Sequence, residues 1–143
     1  MSFKSILVTG GAGFIGSNFV RLIAREQPDC KITVLDALTY AGNMENIGDL
    51  VDSGRVRFVK GDIRDPKAAR EAMTGAEIVF NFAAETHVDR SIEEAASFIE
   101  TDIQGTYNLL NHARELKVKR YVQISTDEVY GSLGATGLFT ETT

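Results

Sequence analysis

Ser5-Ile6-Leu7-Val8-Thr9-Gly10-Gly11-Ala12-Gly13-Phe14-Ile15-Gly16 is the stretch on which the fold turns. Its apolar run, Ile6-Leu7-Val8, stops at Thr9 and meets a glycine cluster. Phe14, Ile15, Phe19, Val20, Leu22 and Ile23 follow at the spacing of an amphipathic helix. The order is therefore strand, glycine turn, helix. Gly11, Gly13 and Gly16 fit G-x-G-x-x-G, and Gly10, Gly13 and Gly16 fit G-x-x-G-x-x-G. One glycine makes a turn that a Cβ would block, and one lets the backbone approach a phosphate. Gly16 is expected to let the helix pack close to the strand. Free N–H groups at the helix start then offer an anion site, favoured by the helix dipole.

A glycine motif alone is weak, but this one has a partner. A second apolar run from Lys31 ends at Asp36, 20 residues after Gly16. A dinucleotide-binding fold places there the carboxylate that holds the adenosine ribose. The same carboxylate repels a 2′-phosphate and no arginine follows it closely, which favours NAD over NADP. The alternative is a glycine-rich hairpin followed by a strand-terminal aspartate; it leaves the joint placement of turn, helix and acid unexplained.

The 143 residues suffice for one domain with a core. With 43% hydrophobic and 24% charged residues the composition is that of a globular protein. A net charge of −5 argues against nucleic acid and anionic membranes as partners. The apolar runs are strand-sized, so no membrane helix is expected, and the start of the chain leaves no room for a signal peptide. Cys30 is the single cysteine and reads as structural. A cytoplasmic protein is expected.

Along the chain the spacing predicts a helix over Phe14 to Glu26, a strand over Lys31 to Asp36 and a short helix capped by Asn43. A third strand over Val56 to Val59 and a helix capped by Asp65 with Pro66 at its first position come next. A fourth strand runs from Ile78 to Ala83. Ser91-Ile-Glu-Glu94 is a capping box opening a long helix to Leu116. That helix carries Ile99 and Ile103 on one side and Phe98, Tyr107 and Leu110 further round, so burial on two faces is expected, one of them against a second subunit. A fifth strand spans Arg120 to Ser125. Alternating strands and helices imply an α/β doubly wound parallel sheet in the order 3-2-1-4-5, with ligands at the carboxyl ends of the strands.

Polar residues collect at those ends. After strand 4 the chain reads Ala83-Ala84-Glu85-Thr86-His87-Val88-Asp89-Arg90-Ser91. Two small residues admit a cofactor, and the rest offer hydrogen bonds and charge; a solvated polar loop is the alternative. Two histidines, His87 and His112, lack the spacing of a metal site. After strand 5, Thr126-Asp127-Glu128 offers a hydroxyl and two carboxylates. Neighbouring carboxylates with separated pKa values can serve as acid and base in a reaction that takes a proton from one carbon and protonates a leaving hydroxyl on the next. A polar turn leaving the sheet is the competing reading.

The glycine motif, Leu35-Asp36-Ala37-Leu38-Thr39-Tyr40-Ala41-Gly42-Asn43, Gly61-Asp62-Ile63-Arg64-Asp65, the Ala83 to Ser91 stretch and Ser125 to Gly131 together resemble the extended short-chain dehydrogenase/reductases. Within these they are most similar to the dTDP-glucose 4,6-dehydratases. The resemblance implies a Rossmann-type NAD-binding fold whose C-terminal part and substrate domain would lie beyond Thr143. It implies that Gly10, Gly13, Phe14, Ile15 and Gly16 meet the NAD pyrophosphate. Asp36, Ala37, Leu38 and Thr39 would hold the adenosine ribose, and Asp62 and Ile63 the adenine. Phe82, Ala83, Ala84, Glu85, Thr86 and Thr101 would line the cofactor path. Thr86 and Thr126 would touch the hexose of dTDP-glucose, Asp127 would expel the 6-hydroxyl as water, and Glu128 would take the carbon-5 proton. Hydride would pass from carbon 4 to NAD and return at carbon 6. A homodimer through the Ser91 to Leu116 helix is implied as well. Thr86 stands where the family usually has Ser, and Asp102 where Asn is usual. No tyrosine here is followed four residues later by lysine, the pair the family uses at the 4-hydroxyl. The resemblance thus leaves open a UDP-sugar 4-epimerase, a CDP-, GDP- or UDP-sugar dehydratase, or a catalytically silent NAD-binding module.

Overall fold

The computed structural model describes residues 3–86 and 95–143. Their elements are β1 (Ser5–Thr9), α1 (Phe14–Glu26), β2 (Lys31–Asp36), α2 (Gly48–Asp52), β3 (Val56–Lys60), α3 (Pro66–Met73), β4 (Ile78–Asn81), α4 (Ala95–Phe98), α5 (Thr106–Glu115) and β5 (Arg120–Gln123). The strands form one parallel sheet in the order β3-β2-β1-β4-β5, as the alternating pattern requires.

β1 lies between β2 and β4, which explains its unbroken apolar run. Ile6 and Val8 face a core shared with Val20 and Ile23 of α1. Leu7, one residue out of phase, faces the opposite core with Ala69 and Met73 of α3 and Leu109 of α5. All three β1 residues are buried. Each such side chain contributes about 1.5–3 kcal/mol. Exposed pairs such as Arg21–Asp49 are screened by solvent and contribute little, so the two cores dominate.

α3 begins as expected: Asp65 accepts from Lys67 N at 2.8 Å and Pro66 takes the first helical position. Asn43 likewise accepts from Glu45 N at 2.9 Å. The single short helix expected there is broken instead, into a 3₁₀ turn (Met44–Asn46) and α2, with Ile47 between them at φ −137°. Ile47 is fully buried in the α1-side core, and Asn46 Nδ2 donates to Ala12 O at 2.8 Å. These tertiary ties override the helical spacing.

β4 and β5 end earlier than expected, at Asn81 and Gln123. Asn81 is the cause. Its Oδ1 accepts from the Thr9 hydroxyl and from Ala83 N, while its Nδ2 donates to Gln123 Oε1 at 2.9 Å. The side chain links three strand ends and turns the chain out of the sheet.

The long helix is not uniform. A π-helical segment (Ile99–Gly105) joins α4 to α5. Gly105 sits against the residue following β3's exit: a Cβ there would stand 2.6 Å from Ile63 Cδ1. Gly105, Leu109 and Ala113 form the buried face. Ile99, Ile103, Tyr107 and Leu110, for which a second subunit is one expected cover, are 57%, 65%, 64% and 46% exposed in the single chain. Small residues at 105 and 113 let the helix approach closely, so the inward face holds little apolar bulk and the larger side chains remain outside. The Ser91 capping box, with His87, Asp89 and Arg90, lies outside the described residues.

Candidate functional site

Gly10 builds the turn after β1. Its φ is +67°, its N–H donates to Leu35 O at 2.9 Å, and a Cβ on it would stand 2.6 Å from Ala83 N. A Cβ on Gly16 would collide with Gly10 O. The close approaches therefore differ from the sequence expectation. Gly16 brings α1 onto the glycine turn itself, and Gly10 brings that turn onto the exit of β4. Gly13 stands at the start of the 13-residue helix α1 with no side-chain cap, which leaves its first-turn N–H groups for an anion.

Asp36 closes β2 and is 8% exposed. Its Oδ2 accepts from Ala12 N at 2.9 Å and its Oδ1 from Leu38 N at 2.8 Å. A Cβ on Gly42 would lie 2.6 Å from that Oδ1. The carboxylate is thus fixed between the glycine turn and its own loop. Asp62, after β3, accepts from Arg64 N at 2.8 Å and from Arg64 Nε and Nη2 at 2.9 and 2.7 Å. Arg64 Nη1 reaches Glu100 on the π segment at 3.0 Å. Burial alone would raise the Asp62 carboxyl, but the bonds from Arg64 outweigh it and hold it below the usual range.

These groups border an open cleft at the carboxyl ends of the strands. The glycine turn contributes Gly10 and Gly13, and the β2 loop contributes Asp36, Ala37 and Thr39. Asp62 and Ile63 follow from β3, Phe82, Ala83, Ala84 and Glu85 from β4, and Thr101 from the π segment. The other cofactor residues named from sequence lie off this lining. Phe14 and Ile15 are exposed at the first turn of α1, Gly16 is buried beneath them, and Leu38 packs toward the α1-side core. Ala41, Gly42, Gly61 and Arg64 line the cleft and were not singled out by the sequence. Gly61 directly follows the end of β3, a signal that was available.

A second, open cavity shares the Ala83-Ala84-Glu85 wall. Thr86, Asp102 and Thr126 lie on it. Asp127 and Glu128 come immediately after, in a 3₁₀ turn (Asp127–Tyr130) whose cap Thr126 accepts from Glu128 N at 3.2 Å. Both carboxylates are exposed and on neither lining. Asp102 accepts from Glu85 N at 2.8 Å, a role Asn could also fill. Burial raises its carboxyl, and the nearby Glu85 charge adds to this, against the lowering by the amide.

Two groups fall out of contention for chemistry. The Cys30 thiol is buried and pushed up by that burial, so it is a poor nucleophile. The Tyr121 phenol is pushed up to about 12 by burial and stays protonated. Among the described residues no three potential metal ligands come together, and no helix is long and apolar enough to cross a membrane.

The residues fit a dinucleotide: a cradle that Cβ atoms would fill, an uncapped helix start and a fixed carboxylate one strand away. Comparison with known proteins gives that fit a lineage. The chain is 52% identical over 136 residues to the low-salt glycan biosynthesis protein Agl12 of Haloferax volcanii, covering 95% of this chain and 43% of that protein. It is 51% identical over 132 residues to dTDP-glucose 4,6-dehydratase of Streptomyces niveus, covering 90% and 39%. It superposes with a TM-score of 0.86 and 50% identity on DesIV, the dTDP-glucose 4,6-dehydratase of Streptomyces venezuelae, solved with NAD and TYD bound, covering 94% and 43%. The chain thus spans about two fifths of the length of these relatives. The family model of GDP-mannose 4,6 dehydratase matches residues 7–143, nearly the whole sequence, and the chain belongs to that family.

Proposed function

We propose that this chain is the cofactor-binding part of an NAD-dependent lyase that converts dTDP-glucose to dTDP-4-keto-6-deoxyglucose and water. The observation that carries this reading is the shared Ala83-Ala84-Glu85 wall. It sets the glycine-cradled cleft beside a second cavity that ends at Thr126, next to Asp127 and Glu128. A cofactor in one and a hexose in the other would meet across two small side chains. Similarity to dTDP-glucose 4,6-dehydratases supports the choice of sugar nucleotide.

In this reading the α1 start receives the pyrophosphate, Asp36 accepts from the adenosine ribose hydroxyls, and Asp62 and Ile63 receive the adenine. Bound NAD supplies a hydride acceptor and, later, a hydride donor. The chain's own work is proton handling. Thr86 and Thr126 orient the hexose by their hydroxyls. Glu128 takes the carbon-5 proton once carbon 4 is a ketone, and Asp127 gives a proton to the departing 6-hydroxyl. The Tyr-x-x-x-Lys pair and the nucleotide-reading domain belong, in this proposal, to polypeptide beyond Thr143. The exposed stripe Ile99, Ile103, Tyr107 and Leu110 takes the same stripe of a second subunit. A single buried cysteine suits a reducing compartment such as the cytoplasm.

The test is to offer the protein carrying this chain dTDP-glucose, UDP-glucose and GDP-mannose separately. The reading requires loss of one water from dTDP-glucose in preference to the others. Preference for another base would move the substrate assignment while keeping the chemistry; an unchanged mass with an inverted carbon 4 would replace dehydration by epimerisation.

A further inference from the structure

Glu85 occupies an unusual position. It lines both cavities, and two different elements hold it. Its main-chain N–H donates to Asp102 on the π segment at 2.8 Å. Its side-chain Oε2 accepts from the Tyr40 hydroxyl at 3.0 Å. Tyr40 sits in the β2 loop, between Thr39 on one side and Ala41 and Gly42 on the other, all three of which line the first cleft. Tyr40 itself is 48% exposed and is not among the residues lining the cleft. The Tyr40–Glu85 bond therefore joins the two rims of the cleft, from the β2 loop to the β4 exit. Nothing in the packing of the sheet requires it, since Tyr40 belongs to neither core.

We infer that the Tyr40–Glu85 bond is a clasp that retains the dinucleotide between turnovers. This rests on the reading of the first cleft as the NAD site. The chemistry makes such a device useful. A cofactor that accepts hydride at one carbon and returns it at another must not leave between the two events, or the sugar is stranded as a ketone. A clasp acts on the exit rate. It leaves the ribose and pyrophosphate contacts alone, because Tyr40 is not on the cleft lining. Asp102 has a separate part: it fixes the backbone from which the Glu85 side chain reaches Tyr40, and so is a positioning residue.

The experiment is a double-mutant cycle on the NAD release rate in the protein carrying this chain: wild type, Tyr40→Phe, Glu85→Ala and the pair, with release followed by displacement of bound NADH fluorescence. One hydrogen bond to a carboxylate predicts release faster by about tenfold in Tyr40→Phe, with no fall in the association rate. The pair should release no faster than Glu85→Ala alone, because either change already opens the clasp. Tyr40→Phe should also make turnover depend on added NAD. Unchanged release in Tyr40→Phe, or effects that multiply in the pair, would overturn the clasp. A fall in association rate together with a lower melting temperature would also overturn it, by showing that Tyr40 only holds its loop. Absence of NADH binding by the wild type would overturn the reading of the cleft itself, which separates the two failures.

Discussion

The glycines show how one atom decides the site. Gly16 has no room for a Cβ above Gly10 O, whereas Gly48, at the first position of α2, has nothing within 4 Å of its would-be Cβ. Gly16→Ala should therefore abolish measurable NAD binding and lower stability by about 1–3 kcal/mol, the cost of overpacking. Gly48→Ala should be neutral or stabilise by up to about 1 kcal/mol, because alanine loses less backbone entropy. Titration with NADH and urea melts check both. The Gly-rich motif and Asp36 were legible in the sequence, since the turn, the helix and the acid each need a particular residue type. What each glycine touches was not, because contacts such as Gly10 with Ala83 and Gly105 with Ile63 are made between distant segments. Asp102 gives a second residue-scale prediction. Its carboxyl is raised in the folded protein, so the folded state holds the proton more tightly than the unfolded chain. Its contribution to stability consequently falls as pH rises from the unfolded carboxylate value of about 3.9 through the raised folded one. Asp102→Asn keeps an oxygen for Glu85 N and removes the charge. It should raise the melting temperature at neutral pH by on the order of 2 °C, and the gain should vanish near pH 3. Calorimetry across that range checks the sign.

At the scale of the element, α5 ends in a Schellman motif. Val118 N donates to Ala113 O at 2.9 Å and Lys117 N to Arg114 O at 3.2 Å. Lys117 carries the left-handed conformation this demands, at φ +55°, which a non-glycine residue adopts at a cost of roughly 1–2 kcal/mol. Lys117→Gly should raise stability by up to about 1 kcal/mol, visible as a higher urea midpoint with an unchanged slope, with NAD binding unaffected. The strands and α1 were legible because their periods are strong and bounded by glycine, proline or acid. The ends of β4 and β5 were not, because Asn81 ends them by side-chain bonds to neighbouring strands. The π segment was hidden for a similar reason. Ile99 to Gly105 has an ordinary helical composition, and only the seat of Gly105 on Ile63 reveals its irregularity.

For the whole molecule, the uncovered surface matters most. Ile99, Ile103, Tyr107 and Leu110 form an exposed apolar stripe on the helix, the kind of surface that a second copy or further polypeptide covers. If two copies pair there, Ile103→Asp should convert a dimer to a monomer in sedimentation experiments while leaving the core, and so the far-ultraviolet spectrum, intact. Ala113→Leu would be the contrasting change, since Ala113 faces inward and bulk there disrupts the fold instead. The doubly wound sheet and its ligand edge followed from the alternation of elements alone. The second cavity did not, because it forms only when the β4 exit, the π segment and the β5 exit come together.

The central claim is that these strand ends serve an internal oxidation, elimination and reduction on a nucleotide sugar. It is tested most directly by giving the protein carrying this chain dTDP-glucose deuterated at carbon 4 and locating the label in the product by mass spectrometry. The account predicts a 4-keto-6-deoxy sugar with deuterium at carbon 6 and no label released to solvent. A 6-hydroxylated sugar with deuterium back at carbon 4 would contradict it, as would unchanged substrate beside bound NAD.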